Sequence, residues 1–260
     1  MSLPPLLVVD LGRRPYGDVL AIQRRLAEQR WNRSLANDIL LLVEHDPVVT
    51  LGRGTRPGSL PIPAAELRRR GVEVYEVERG GDVTWHGPGQ LVGYPILDLT
   101  FHRQDLHWYL RRLEEGLIGA LGALGIPAEP NPGLTGVWTR GRKIASIGIH
   151  VRHWVTFHGF ALNVTGTLAG FGLIVPCGIQ DVVMTSVERE SRLPDAHGDA
   201  PPSAYLPRHD LWTATAAAVR EAIAAVFDRA PVPTDAAQLD LAPPAEPSGP
   251  PGRFTGDLVT

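Results

Sequence analysis

Short apolar runs alternate with amphipathic stretches along this chain, and the rhythm predicts most of its elements. Leu6-Leu7-Val8-Val9 reads as a short buried strand. Val19, Ile22, Leu26 and Trp31 then recur at helical spacing, which predicts a helix over residues 16–32. The apolar run 39–43 is short enough for an interior strand. His45-Asp46-Pro47 follows as a loop, then the strand-like Val48-Val49-Thr50-Leu51. Residues 66–70 predict a short helix stopped by Gly71, and Val72, Val74, Tyr75 and Val77 a further strand. Residues 91–99 are strand-like again. Leu106, Tyr109, Leu110, Leu113, Leu117, Leu121 and Leu124 keep a 3–4 spacing, so a long amphipathic helix is expected to end at Gly125. Two β patterns, 143–151 and 154–164, flank Arg152 and His153 and predict a tight hairpin, although no Gly or Asn marks its turn. Val219, Ile223, Val226 and Phe227 predict a last helix, with Asp210 as its N-cap.

Strands and helices are mixed without strict alternation, and a hairpin sits mid-chain. This favours an α+β fold, an α/β two-layer arrangement in which a mixed, largely antiparallel sheet packs with helices, over a doubly wound one. Seven prolines and few large apolar residues fall between 231 and 260. That composition predicts one domain over residues 1–230 and a Pro-rich, disordered tail over 231–260. Residues 194–207 read as a surface loop.

Composition narrows the function classes. The 260 residues are 43% hydrophobic and 20% charged, as in ordinary soluble domains. A formal net charge of −3 offers no strong positive field for nucleic acid or acidic lipid. No apolar run approaches the roughly 20 residues that span a bilayer. Residues 1–10 lack the positive start of a signal peptide. One cysteine forms no internal disulfide, so the cytoplasm is the expected compartment. A monomer is the default expectation.

Three stretches carry candidate chemistry. Arg79 to Gln90 is rich in glycine, which lets a backbone approach a ligand and present its N–H groups; a solvated loop is the plainer alternative. It lacks the Gly-Lys-Ser/Thr ending of a phosphate loop and the spacing of a dinucleotide fingerprint. In Pro176-Cys177-Gly178 the proline stops strand pairing and the glycine permits a sharp turn, which would present the thiol. A lone cysteine is equally a small buried hydrophobe. Lys143 opens the run Lys143-Ile144-Ala145-Ser146-Ile147-Gly148-Ile149, where a lysine is usually solvated. His45, His86, His102, His107, His150, His153 and His158 are all open as partners of a reactive cysteine. None shows metal-ligand spacing backed by cysteine, so no metal is expected.

Three separated patterns then agree. Arg79-Gly80-Gly81-x-x-Thr84-x-His86-x-Pro88-Gly89-Gln90 resembles the signature loop of the octanoyltransferases of lipoate biosynthesis, the LipB family. So do Gly136-Val137-Trp138 with Arg142 to Gly148, and Phe157-His158-Gly159-Phe160-Ala161-Leu162-Asn163-Val164. Pro176-Cys177-Gly178-Ile179 follows in place. The likeness covers about residues 5–190, and in weaker form extends to about 228.

The resemblance implies the catalytic fold shared with biotin and lipoate protein ligases. It implies transfer of octanoate from octanoyl-acyl carrier protein to a lysine of lipoyl domains, as found in 2-oxoacid dehydrogenase complexes and the glycine-cleavage H protein. No cofactor is implied, since the phosphopantetheine belongs to the carrier. By the same resemblance Cys177 is the nucleophile and Lys143 its acid/base partner. Substrate-binding positions fall on Arg79, Gly80, Gly81, Asp82, Val83, Thr84, Trp85 and His86, on Ser146, Ile147 and Gly148, and on Gly159, Phe160 and Ala161. His86 is a candidate to position the substrate or polarise its carbonyl.

A free thiol near pKa 8.5 is only slightly ionised at neutral pH, and a cationic lysine beside it favours the thiolate. Small residues at Ala145, Ser146, Gly148, Gly159 and Ala161 leave room for an acyl tail; the plainer alternative is that they let strands pack closely. Two rivals remain at this point. One is an ATP-dependent lipoate- or octanoate-protein ligase of the same fold. The other is a non-catalytic scaffold that binds carrier protein or lipoyl domains.

Overall fold

The computed structural model describes residues 3–175, 182–193 and 206–241. In chain order the elements are β1 (Pro5–Arg14), α1 (Tyr16–Trp31), β2 (Asp38–His45), β3 (Val48–Leu51), α2 (Ala64–Arg69), β4 (Glu73–Glu76), β5 (Thr84–His86) and β6 (Gln90–Ile96). They continue with α3 (Leu106–Ala123), β7 (Glu129–Asn131), β8 (Leu134–Thr139), β9 (Arg142–Arg152), β10 (Val155–Asn163), α4 (Val187–Glu190), α5 (Arg208–Val226) and β11 (Ala230–Pro233).

Eight strands form one mixed sheet in the order β11-β1-β2-β6-β10-β9-β8-β7. β1 runs parallel to both β2 and β11, and every other neighbour is antiparallel. A smaller sheet, β4-β3-β5, lies apart. The apolar run of β2 is explained by burial on both faces, since such a strand needs no polar side. Leu40 and Leu42 pack with Leu113, Leu117 and Leu121 of α3 and Val219 and Ile223 of α5. Ile39, Leu41 and Val43 pack instead with Val19, Ile22 and Leu26 of α1. Each such side chain removed from water contributes about 1.5–3 kcal/mol. The small sheet has its own core, in which Val49, Val74, Trp85 and Phe171 meet.

Helix ends follow local chemistry. Asp105 caps α3 by accepting from the Trp108 N–H at 3.0 Å. Asp210, expected as the N-cap of the last helix, sits instead in the first turn of α5, with Pro207 at the cap. A carboxylate there still suits the unpaired N–H groups of the helix start. The predicted hairpin is displaced by one residue. His153 and Trp154 form the turn, both with positive φ (51° and 63°), the sign that a two-residue hairpin turn favours. No Gly or Asn is needed because His153 stacks on Trp31 at 3.9 Å and the Trp154 carbonyl accepts from the Leu99 N–H at 2.8 Å.

The expected disordered tail needs correction over residues 231–241. β11 extends the main sheet beyond β1. Its N–H groups on the β1 side include Ala230, donating to the Pro4 carbonyl at 2.9 Å, and Thr234 follows by donating to Val8 at 2.8 Å. Pro231 and Pro233 take the intervening positions of an edge strand, where no donor is required. A 3-10 turn over Ala236–Leu239 then delivers Leu241, fully buried, to the α1 side of the sheet. Residues 242–260 and most of the loop predicted over 194–207 lie outside the described residues. Among the described residues, no helix is long and apolar enough to cross a membrane.

Candidate active site

A cavity of about 230 Å³ opens on the α1 side of the main sheet, beneath the glycine-rich segment. Val92 and Tyr94 of β6, Gly159 and Ala161 of β10, and Ser146 and Gly148 of β9 line it. Arg79, Gly81, Asp82, Val83, Thr84 and His86 border it from the segment above, and Gly133, Leu134 and Thr135 from the β7–β8 turn. Ile147, Phe160, Tyr16, His158 and Lys143 complete the lining.

Arg79 holds the glycine-rich segment in place. Only 6% exposed, it donates to the Thr50 carbonyl at 2.7 Å, the Thr50 hydroxyl at 2.9 Å and the Asp82 carbonyl at 2.7 Å. Its charge is thus spent largely on backbone oxygens of the loop and of β3. The loop also pairs with β9, through the Gly80 N–H and the Ile149 carbonyl at 2.8 Å. Gly148 makes that approach possible, because a Cβ there would lie 3.1 Å from both the Arg79 Cδ and the Gly80 carbonyl oxygen. At this position close packing accounts for the small residue. Ala145, another small residue of the run, sits in the α3–α5 core and not in the cavity.

The polar groups around the cavity have fixed orientations. His45 directs Nδ1 at the Arg14 carbonyl (2.9 Å) and Nε2 at the Tyr94 hydroxyl (2.8 Å). A carbonyl only accepts, so Nδ1 carries the proton and Tyr94 donates to Nε2. His86, 7% exposed, stacks near-parallel to Tyr16 at 6.0 Å and bonds the Gln90 Oε1 through Nδ1 at 2.7 Å. Burial pushes His45 down to about 4 and His86 down to about 3, so both rings are neutral. Burial also lowers His158, whose Nε2 lies 3.3 Å from Glu78 Oε2. Burial alone would raise Glu78; the His158 hydrogen bond, a backbone hydrogen bond and the nearby Arg24 charge together outweigh it and leave the carboxyl at about 2. Neutral His158 therefore donates to a carboxylate.

Lys143 is 3% exposed, contrary to the usual fate of a lysine opening a strand. Its backbone is clamped where β10 no longer pairs with β9: the N–H donates to Val183 and the carbonyl accepts from Thr185, both at 2.9 Å. Its Nζ donates to the Thr135 carbonyl at 3.2 Å and lies 4.8 Å from the Trp138 ring centre. Gly136 makes room for that stem. Its φ is +127°, and a Cβ there would lie 2.9 Å from the Lys143 Cε.

Of the positions singled out by sequence, Lys143, Arg79, Gly81, Asp82, Val83, Thr84, His86, Ser146, Ile147, Gly148, Gly159, Phe160 and Ala161 meet around this cavity. Gly80 and Trp85 do not line it. Trp85 points the other way from β5, into the small-sheet core against Phe171 (5.5 Å, edge-on). Cys177, with Pro176, Gly178 and Ile179, lies outside the described residues. On one side of that segment the Val175 N–H donates to the Ser59 carbonyl at 3.0 Å, and the Ser59 hydroxyl bonds Asp82 at 2.7 Å. On the other side Val183 and Thr185 flank Lys143. Tyr16, Tyr94 and His158 line the cavity without having been assigned there. His158 stood inside the quoted Phe157–Val164 motif; Tyr16 and Tyr94 carried no local signal. Among the described residues, no cluster of three His, Cys, Asp or Glu side chains could hold a metal.

The model of the lipoyl protein ligase A/B catalytic domain family matches residues 15–197. An octanoyltransferase from Nostoc sp. strain PCC 7120 is 51% identical over 175 residues, covering 67% of this chain and 78% of its own. One from Geobacter sulfurreducens is 52% identical over 184 residues, covering 71% and 75%. Among solved structures, a lipoate-protein ligase A bound with ATP shares the fold at a TM-score of 0.64 and 15% identity, with 90% of this chain and 89% of that one covered. Protein Ta0514 of T. acidophilum aligns at a TM-score of 0.62 and 14% identity over 92% of both chains. Placed beside a cavity built from the three motifs, these likenesses assign the chain to the lipoyl protein ligase A/B catalytic domain family.

Proposed function

We propose that this chain is an acyltransferase that moves an octanoyl group from octanoyl-acyl carrier protein, through a thioester on Cys177, to the lysine of a lipoyl domain. The observation that carries the reading is Lys143: an amine held inside a small, mostly apolar cavity of a chain about half identical to octanoyltransferases. The glycine-rich loop borders the same space, and the residues on both sides of the Cys177 segment bond to Ser59 and to the Lys143 backbone, which supports bringing thiol and amine together there.

The chemistry runs in two steps. The Cys177 sulfur attacks the carrier's thioester carbonyl; a new C–S bond forms, the old one breaks, and Lys143 gives a proton to the departing pantetheine thiolate. Backbone N–H groups of the loop and of Gly178 are candidates to stabilise the oxyanion, an effect worth about 3–4 kcal/mol per donor in studied cases. The incoming lysine amine then attacks the acyl-enzyme. A C–N bond forms, the C–S bond breaks, and Lys143, left neutral by the first step, takes up the amine's surplus proton. Thioester exchange is nearly balanced and amide formation runs downhill, so neither ATP nor another cofactor is required. An eight-carbon chain suits a cavity smaller than most small-molecule clefts. Its seven tail carbons contribute about 5 kcal/mol on burial before ordering costs. The cytoplasm is the proposed compartment, where both protein substrates would be met.

Intact-mass measurement tests this directly. Mixing the protein with octanoyl-carrier protein should add one octanoyl group, and Cys177→Ser should abolish the gain. Modification of a lipoyl domain only with ATP and free octanoate would replace the transferase by the ligase. Partner binding with no acyl-enzyme and no modified lysine would leave a scaffold.

A further inference from the structure

The buried side chains behind His86 form a hydrogen-bonded chain with a single possible direction. It starts at the Thr185 carbonyl, which can only accept, and Asn163 Nδ2 donates to it at 3.0 Å. Asn163 Oδ1 is thereby turned toward Gln90, whose Nε2 donates to it at 2.9 Å and to the Trp85 carbonyl at 3.3 Å. Gln90 Oε1 is left facing His86 Nδ1 at 2.7 Å. A carboxamide oxygen only accepts, so Nδ1 carries the proton and Nε2 carries a lone pair. Reversing any link would set two donors or two acceptors against each other in a buried place. Gln90 and Asn163 are 2% and 1% exposed, so water does not relieve such a mismatch cheaply.

His45 obeys the same logic with a different outcome. Its Nε2 lone pair is filled by the Tyr94 hydroxyl. The Nε2 of His86 has no hydrogen-bond partner among the described residues, while the ring is buried and lines the cavity. A fixed acceptor in that wall does not polarise a carbonyl, which would need a donor. This excludes one of the two roles considered for His86 from its sequence context.

We propose that His86 Nε2 accepts a hydrogen bond from the N–H of the incoming lysine amine, and that Gln90, Asn163 and the Thr185 carbonyl are positioning groups that fix the tautomer for this purpose. The inference rests on the transferase reading above. A primary amine brings a lone pair and two hydrogens. The lone pair forms the new C–N bond, one hydrogen leaves toward Lys143, and the other remains in the product amide. His86 holds the hydrogen that remains. It takes no proton, and its burial keeps it a weak base. The role belongs to the second half-reaction, because the first involves no amine acceptor.

The test separates the two halves in the full-length protein. With octanoyl-carrier protein alone, His86→Phe should slow acyl-enzyme formation at least about tenfold less than it slows the transfer that follows. On adding a lipoyl domain, its acyl transfer should slow by about 30-fold or more, with partial recovery in His86→Gln, which restores an acceptor near the Nε2 position. Histidine labelled with ¹⁵N should show His86 Nε2 without an attached hydrogen, and Gln90→Met should shift the ring toward a mixture of tautomers. Equal slowing of both halves, unimpaired transfer in His86→Phe, or a protonated Nε2 in the neutral ring would each overturn the proposal. Failure of the unaltered protein to form an acyl-enzyme would instead strike the transferase reading itself.

Discussion

The two faces of the eight-stranded sheet are built on different terms. The face under α3 and α5 is closed by hydrocarbon, with Leu40, Leu42, Leu113, Leu117, Leu121, Val219 and Ile223 in one cluster. The face under α1 begins in the same way, with Ile39, Leu41 and Leu26. Toward β5 and β10 it changes character and buries His45, His86, Arg79, Gln90, His158, Asn163 and, at the start of β9, Lys143. Burying polar groups costs stability unless each finds a partner, and here the partners are largely backbone carbonyls and one another. One face holds the sheet together. The other uses that rigidity to fix the orientation of chemical groups around a cavity.

Two substitutions should separate these roles most sharply. Lys143→Ala should lower octanoyl transfer by at least about 100-fold, the usual scale for a general acid–base group. Stability should fall by only about 1 kcal/mol, for the lost contact with Trp138. Turnover with a lipoyl-domain acceptor and a urea melt on the same sample would read both; near-normal turnover would remove Lys143 from the mechanism. Leu117→Ala, on the opposite face, should do the reverse. The fully buried leucine should cost about 2–5 kcal/mol while the folded fraction keeps its specific activity. If Leu117→Ala impaired transfer per folded molecule as strongly as Lys143→Ala, the two faces would not be separable.

The same contrast governs what could be read from sequence. Apolar periodicity located α1, α3 and β2 closely, because burial against the sheet leaves a repeating mark. β5 was hidden within the glycine-rich stretch, being only three residues long. Carrying the resemblance over the whole stretch assigned Trp85 to the cavity along with its neighbours. Strand alternation sends Thr84 and His86 one way and Trp85 the other. The buried Lys143 has no local signal, since its burial depends on Gly136, seven positions earlier in the chain, and on pairing with Val183 and Thr185. Only the family resemblance pointed to it. The link from Gln90 to Asn163 spans 73 positions and leaves no periodic trace. β11 was masked by its prolines, which count against a strand except at an outward-facing edge.

That edge offers a smaller test. Leu241 is fully buried on the α1 face, and its carbonyl accepts from Arg14 Nη1 at 3.3 Å. Leu241→Ala should therefore cost about 2 kcal/mol, toward the lower end for a buried leucine because the site lies at the margin of the core. Transfer activity should persist, since the cavity is lined from β5, β6, β9 and β10 and not from β11. A urea midpoint unchanged by the substitution would return residues 231–241 to the status of a tail that adds nothing to the fold.

The smallest effect is a pH dependence specific to the polar face. His45 and His86 are held down to about 4 and about 3 by burial, against about 6.5 in an unfolded chain. Below pH 6.5 the unfolded state therefore binds protons that the folded state refuses. Stability from these two rings is complete above pH 6.5 and declines as pH falls toward 4, by about 1.4 kcal/mol per pH unit for each proton. The lowered carboxyls, among them Asp38 and Glu78, act in a different window, below about pH 4.5. Unfolding free energies measured between pH 7.5 and 5 thus report mainly on buried histidines. His86→Gln should flatten that slope by up to one proton, recovering about 1 kcal/mol at pH 5.5 relative to its own value at pH 7.5. A slope unchanged by the substitution would mean that His86 is protonated in the folded chain, and the neutral ring with an open lone pair facing the cavity would be lost with it.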